Sequence, residues 1–152
     1  MIIEYEIIKE NNFVKLVPAK KININNNDIA IDDVVNILNK YYNFNKLNVE
    51  NSFLAAFDNQ ANLIGLIRLS IGNQKQCFFY RHSVITCLVL LGAMQFAYFH
   101  NHTCDNLIIP SENDISTYYD AHMIANLMDI SFIDSIIVNN NDYYSIGEYE
   151  KK

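Results

Sequence analysis

The run from Val84 to Phe99 is the most apolar stretch of the chain, and it limits the fold more than any other feature. It is shorter than the roughly 20 residues that span a bilayer, and Gln95 lies inside it. It reads instead as a helix from about Ser83 to Met94, apolar all round and so buried on most sides, followed by a buried strand from Phe96 to His100. Elements that need cover on most of their surface belong in a layered domain.

The rest of the chain supplies such layers. Residues 2 to 8 and 13 to 17 read as short strands around an Asn11-Asn12 turn, and the asparagine-rich stretch from Lys20 to Asp28 reads as a linker. A helix follows from Ile31 to Tyr42, its stripe formed by Val34, Val35, Ile37, Leu38 and Tyr41. Strands near Ser52 to Phe57 and Leu63 to Ile71 flank the turn-forming Asp58-Asn59. Beyond His100 a helix runs from Glu112 to Met128, with Ile115, Tyr118, Ala121, Ala125 and Met128 on one stripe. Strands from Phe132 to Val138 and from Tyr143 to Ile146 close the chain. The expected class is α+β, a mixed sheet between helices. The expected organisation is an N-terminal hairpin and linker over 1–28, one domain over 29–148 and a tail over 149–152.

Composition narrows the function. The chain has 152 residues, of which 51% are apolar and 18% charged, as suits a single globular domain. A net charge of −6 gives no basic face for phosphates, and Lys20-Lys21 and Lys151-Lys152 are the only paired lysines, so direct nucleic-acid binding is disfavoured. Glu4, Glu6 and Glu10 interrupt the early apolar residues, which argues against a secretory signal. The three cysteines, Cys77, Cys87 and Cys104, have no paired spacing. A reducing cytoplasm is the simplest setting, and no membrane segment is expected.

His100 and His102 carry the sharpest chemistry. Side chains two apart on a strand point to one side, so both imidazoles can converge on one ion. Asp114, twelve residues past His102, can close that ion from beyond a loop. Two histidines and a carboxylate with one position open form the ligand set of a catalytic zinc site. Ser111 and Asp114 equally fit a capping box at a helix start, a purely structural role. The two roles are compatible, because a capped helix start aims its carboxylate well. Cys104, two residues past His102, is a further candidate ligand, although a loop thiol in solvent satisfies the sequence as well.

From about Asp32 to Glu148 the chain resembles small JAB (MPN) domain proteins of the RadC type, often carried on plasmids and phages. The landmarks are Leu63-Ile64-Gly65, Gly72, His100-Asn101-His102, Pro110 to Ile115, Leu127 to Ile130, Phe132-Ile133-Asp134 with Ile136-Ile137, and Tyr144-Ser145. The resemblance implies a curved mixed sheet flanked by helices, with cytidine-deaminase-like layering. It implies zinc held by His100, His102 and Asp114, with Ser111 assisting the bound water or the oxyanion, and hydrolysis of amide or isopeptide bonds.

The JAMM pattern of that family is His-x-His, seven residues, then Ser-x-x-Asp, with an upstream glutamate as general base, and the chain departs from it in several places. Eight residues rather than seven separate His102 from Ser111. Thr103-Cys104-Asp105 replaces the usual Pro-Ser-Gly, and Ser135 stands where a histidine is usual. Four residues before Gly72, the place read as that of the general-base glutamate, is Arg68, which cannot accept a proton at neutral pH. The resulting expectation is a zinc-binding protein that is weak or inactive as a hydrolase. Two alternatives stand beside it. One is a catalytically dead interaction module of mobile-element origin. The other is an active hydrolase that uses another carboxylate, with Glu50, at the start of the preceding strand, as the candidate. The expected partner is a protein or peptide, and the paired tyrosines at 41–42, 118–119 and 143–144 leave homodimerisation open.

Overall fold

A computed structural model describes residues 1–23, 29–103, 108–140 and 142–151. The strands are β1 (Ile2–Glu10), β2 (Phe13–Ile22), β3 (Asn51–Phe57), β4 (Leu63–Ile71), β5 (Gln95–Asn101), β6 (Ser131–Val138) and β7 (Tyr143–Ser145). The helices are α1 (Ile31–Tyr42), α2 (Arg81–Leu91), α3 (Glu112–Met128) and the short α4 (Ile146–Tyr149). The strands form one mixed sheet in the order β2-β1-β4-β3-β5-β6-β7, with β1 parallel to β4 and β5 parallel to β6. The α+β architecture expected from the sequence is the one the chain adopts.

Strict alternation along the central strands divides the core in two. Phe53, Ala55 and Phe57 of β3, with Ala97 and Phe99 of β5, pack with Val34 and Leu38 of α1. Leu54, Ala56 and Phe96 turn the other way, onto Val84 and Leu88 of α2 and Ala121 and Ile124 of α3. Every residue of β3 is buried, as a strand covered on both faces must be. His100 follows Tyr98 and Phe96 in the alternation, so it points to the α2/α3 side.

Several boundaries differ from those expected. β2 runs on to Ile22 through part of the stretch read as a linker, because Ile22 pairs with Ile2 and is fully buried. Residues 24–28 of that stretch lie outside the described residues. The hairpin turn holds Asn11 and Asn12 both at positive φ (49° and 67°), the type I′ geometry asparagine favours. Through β1 the hairpin is hydrogen-bonded into the same sheet as the rest.

α2 stops at Leu91, three residues early, because Gly92 adopts φ 63° and takes the left-handed cap. Its apolar surface is not buried all round: Val84, Cys87 and Leu88 face the core, while Val89 and Leu90 are exposed. At the C-terminus Ser145 ends β7 and caps α4, so Ile146 is the first residue of a helix rather than the last of a strand. α1 and α3 have the limits their periodicity predicts. No helix among the described residues is long and apolar enough to cross a membrane.

Candidate metal centre

Two local devices bring the site together. β5 ends at Asn101, but the amide of His102 donates to the Val138 carbonyl at 2.8 Å, prolonging the ladder with β6. The period of two therefore holds across His100 and His102, and both rings reach the same side. On α3, Ser111 is the N-cap: its Oγ accepts the Asp114 amide at 3.2 Å, and its own amide donates back to Asp114 Oδ2 at 2.7 Å. The capping box aims Asp114 at the histidines. One carboxylate serves both the cap and the site.

The resulting distances are short. His100 Nε2 lies 2.9 Å from Asp114 Oδ1, His102 Nε2 lies 3.3 Å from Oδ2, and the two Nε2 atoms are 3.2 Å apart. No choice of protons satisfies all three contacts. If both nitrogens carry protons toward Asp114, two donors face one another; if one does not, it meets the carboxylate lone pair to lone pair. A cation removes the conflict, because it accepts lone pairs from all three groups. Ligands about 2.0–2.1 Å from a tetrahedral zinc lie roughly 3.3 Å from each other, which is the spacing here. The three residues fit a metal ion.

The electrostatics agree with a cation-binding pocket. Burial pushes the Asp114 carboxyl up, but hydrogen bonds from His100 and His102 outweigh it and hold the group well below the usual carboxylate range. His102 is pulled down by burial, yet the Asp114 hydrogen bond and the charges of Asp114 and Glu50 leave it raised.

Glu50 is the fourth ionisable group. It immediately precedes β3, is 8% exposed, and lines a cavity of about 350 Å³ with His100, His102, Ser111 and Asp114. Gln74 to Cys77 form another wall of that cavity. Burial raises the Glu50 pKa, against the lowering pull of the two histidines and of the Cys77 amide, which donates to its carboxylate.

Arg68 is elsewhere. Its guanidinium lies over the rings of Tyr42 and Phe53, 5.3 and 5.2 Å from their centroids, on the α1 side of the sheet. The assignment of Arg68 to the general-base position is therefore corrected. β4 stands two strands from β5, roughly 10 Å away, whereas β3 is its direct neighbour. A bulge at Leu69 also sets Ser70 opposite Ser52 but Arg68 opposite Phe53, turning Arg68 to the far face.

The remaining candidates divide. Ser111 lines the cavity, and its hydroxyl donates to Asp114 Oδ2 at 2.7 Å. Cys104 lies outside the described residues. Ser135 faces Tyr98 across β5 and β6; its Oγ and the Nδ1 of His100 are buried without hydrogen-bond partners among the described residues. Two contributors escaped the sequence reading. Cys77 gives its amide to Glu50 and lines the cavity, with its thiol 3.6 Å from the Tyr98 hydroxyl. Asn101, read only as the spacer of the histidine pair, is fully buried and bonded to the backbone on either side of Glu50.

Comparison with known proteins agrees with this arrangement. UPF0758 proteins of Actinobacillus pleuropneumoniae, from serotypes 5b and 3, are each 32% identical over 97 residues. The match covers 63% of this chain and 44% of each relative, so the chain spans less than half the length of those proteins. The model of the RadC-like JAB domain matches residues 29–151, a span that takes in Glu50, both histidines, Ser111 and Asp114. The chain belongs to the RadC-like JAB domain family.

Proposed function

We propose that this domain is a zinc-dependent hydrolase of amide or isopeptide bonds in a protein or peptide, with Glu50 as its general base. The observation that carries this reading is the position of Glu50, a buried carboxylate in the wall of the cavity that holds the His100, His102 and Asp114 ligand atoms. The expectation of a weak or inactive hydrolase rested on an arginine at the base position, and Arg68 lies on the other face of the sheet.

His100 and His102 would hold the ion through Nε2 and Asp114 through a carboxylate oxygen. Bound there, zinc lowers the pKa of a coordinated water toward about 7 and polarises the carbonyl to be attacked. The chain's own groups do the rest. Glu50, its pKa raised mainly by burial, accepts the proton of the attacking water and delivers it to the departing amine. Asp114, held ionised, balances the charge of the ion, and Ser111 keeps it in place. To meet a developing oxyanion, the Ser111 hydroxyl would have to turn from Asp114. The side chains of Gln74 and Gln76 on the cavity wall offer donors and acceptors to a polypeptide backbone. The setting we favour is the reducing cytoplasm, which suits the buried free thiols Cys77 and Cys87.

The test is metal content by elemental mass spectrometry joined to cleavage of a library of peptide and isopeptide-linked substrates. The wild-type chain and Glu50→Gln should each carry about one zinc, and the His100→Ala/His102→Ala variant none. Glu50→Gln should cut at least about 100-fold more slowly than wild type. A wild-type chain that takes up no zinc from supplied salt overturns the reading, as does equal cleavage by Glu50→Gln.

A further inference from the structure

Asn101 separates the two histidines, and a residue whose only task is to alternate could be any good strand former. This one is fully buried and spends both ends of its amide on one short segment. Its Oδ1 accepts the Asn51 amide at 2.7 Å, and its Nδ2 donates to the Val49 carbonyl at 3.1 Å. The two bonded groups belong to the residues on either side of Glu50. A planar carboxamide bonded at both ends tolerates little rotation and little sliding, so it fixes the 49–51 segment against the end of β5.

The main chain of Glu50 itself is held from the opposite direction. Its amide donates to the Asn73 carbonyl at 2.8 Å, and its carbonyl accepts the Gly72 amide at 2.7 Å. The Asn73 side chain in turn accepts the amides of Lys75 and Gln76 at 2.8 and 3.2 Å, shaping the turn that presents Cys77. That turn is tied back to the histidine strand, because the Thr103 hydroxyl donates to the Gln74 carbonyl at 3.0 Å. The base is bracketed by bonds that lead to the strand carrying the ligands.

We propose that Asn101 is the positioning residue of Glu50, locking the general base to the two histidines it separates so that base and metal ligands keep one geometry. The inference rests on the hydrolase reading above and deepens it. Misplacement of a reacting group by about 1 Å can cost on the order of 100-fold in rate, so a bracket of this kind carries catalytic weight without touching substrate.

The experiment compares wild type, Asn101→Ala and Glu50→Gln by two measurements that need no substrate. The first is amide hydrogen exchange by NMR. Exchange at Asn51 and Gly72 should rise at least tenfold in Asn101→Ala, while β4 and β6 amides away from the segment keep their protection. The second is the visible spectrum of the protein loaded with cobalt(II), which reports the groups around the ion. All three proteins should bind about one cobalt, and Asn101→Ala should reproduce the spectral change that Glu50→Gln produces. A wild-type spectrum in Asn101→Ala beside an altered one in Glu50→Gln overturns the proposal, as does unchanged exchange at Asn51. An unaltered spectrum in Glu50→Gln also overturns it, since Glu50 would then not face the ion. Should Asn101→Ala fail to fold, Asn101→Asp takes its place; it keeps the acceptor for Asn51 and removes the donor to Val49, so it is read by the cobalt spectrum and by Gly72 exchange, and unchanged values of both overturn the proposal. Failure of the wild-type chain to bind cobalt defeats the hydrolase reading separately, and Asn51 exchange then decides the bracket alone.

Discussion

Ser52 lies opposite His100 across the β3–β5 ladder, so Glu50, two places before Ser52, shares the face of His100 and His102. Arg68 is opposite Phe53 and shares the other face. Placing a glutamate at 68 therefore puts no base near the histidine pair. Arg68→Glu should leave zinc content and any cleavage unchanged. It should lower stability by about 1–2 kcal/mol, since it ends the stacking on Tyr42 and Phe53 and sets a carboxylate near Glu4, which already accepts from the Tyr42 hydroxyl. Urea unfolding midpoints and zinc analysis measure both halves; a gain in cleavage would contradict the assignment of faces.

Asp114 performs two tasks and Ser111 chiefly one, so their alanine variants should separate. Ser111→Ala removes a helix cap and should cost about 1 kcal/mol with zinc retained. Asp114→Ala loses the ligand as well, and zinc should fall from about one per chain to nearly none, with a larger loss of stability in the zinc-loaded protein. Equal losses in the two variants, with zinc bound in both, would leave Asp114 as a cap alone.

Gly72 is enclosed by the turn that follows it. A Cβ added there would stand 2.0 Å from the Gln76 carbonyl oxygen and 2.7 Å from the Cys77 Cα, and backbone atoms cannot step aside as a side-chain tip can. Gly72→Ala should cost on the order of 1–3 kcal/mol in thermal or urea unfolding and should displace the Cys77 amide from Glu50. Zinc content should be unaffected, because no ligand lies in the turn. Wild-type stability in this variant would mean that the turn is looser than described.

Burial pushes the Cys77 thiol up to about 11 and the Cys87 thiol to about 12, from an ordinary value of 9.0. The unfolded chain thus loses these protons at lower pH than the folded one. Their contribution to stability is complete below about pH 9 and declines as pH rises, by up to about 1.4 kcal/mol per pH unit for each thiol until its folded pKa is reached. Unfolding midpoints from pH 8 to 10.5 should fall, and less steeply in Cys87→Ala. At pH 8 both thiols should alkylate at least about 100-fold more slowly in the native protein than in the unfolded chain. Rapid native labelling of the Cys77 peptide would contradict its burial.

What could be read in the chain beforehand was local. α1 has the limits its apolar stripe predicts and α3 those its stripe and Ser111 cap predict, and the His100, His102 and Asp114 cluster follows from strand alternation and a helix start. Glu50 was harder to place because its role depends on which strands are neighbours. Only the order β4-β3-β5 brings it to the histidines, and that order is set by long-range packing. Ile22 was hidden for a related reason: its partner, Ile2, lies at the other end of the hairpin, and polar neighbours mask its strand character. The exposed Val89 and Leu90 show the reverse error, because an apolar sequence does not ensure that every face finds cover.

The outermost strand bears on how copies of this chain could meet. β2 is ten residues long and forms one margin of the sheet, where another chain could pair with it. Three features oppose such pairing. Pro18 has no N–H to offer, the register slips beside it between Glu4 and Tyr5, and Lys15, Lys20 and Lys21 bring positive charge to the strand. Like charges would confront one another if two such margins aligned. Sheet-to-sheet addition through β2 is thus disfavoured.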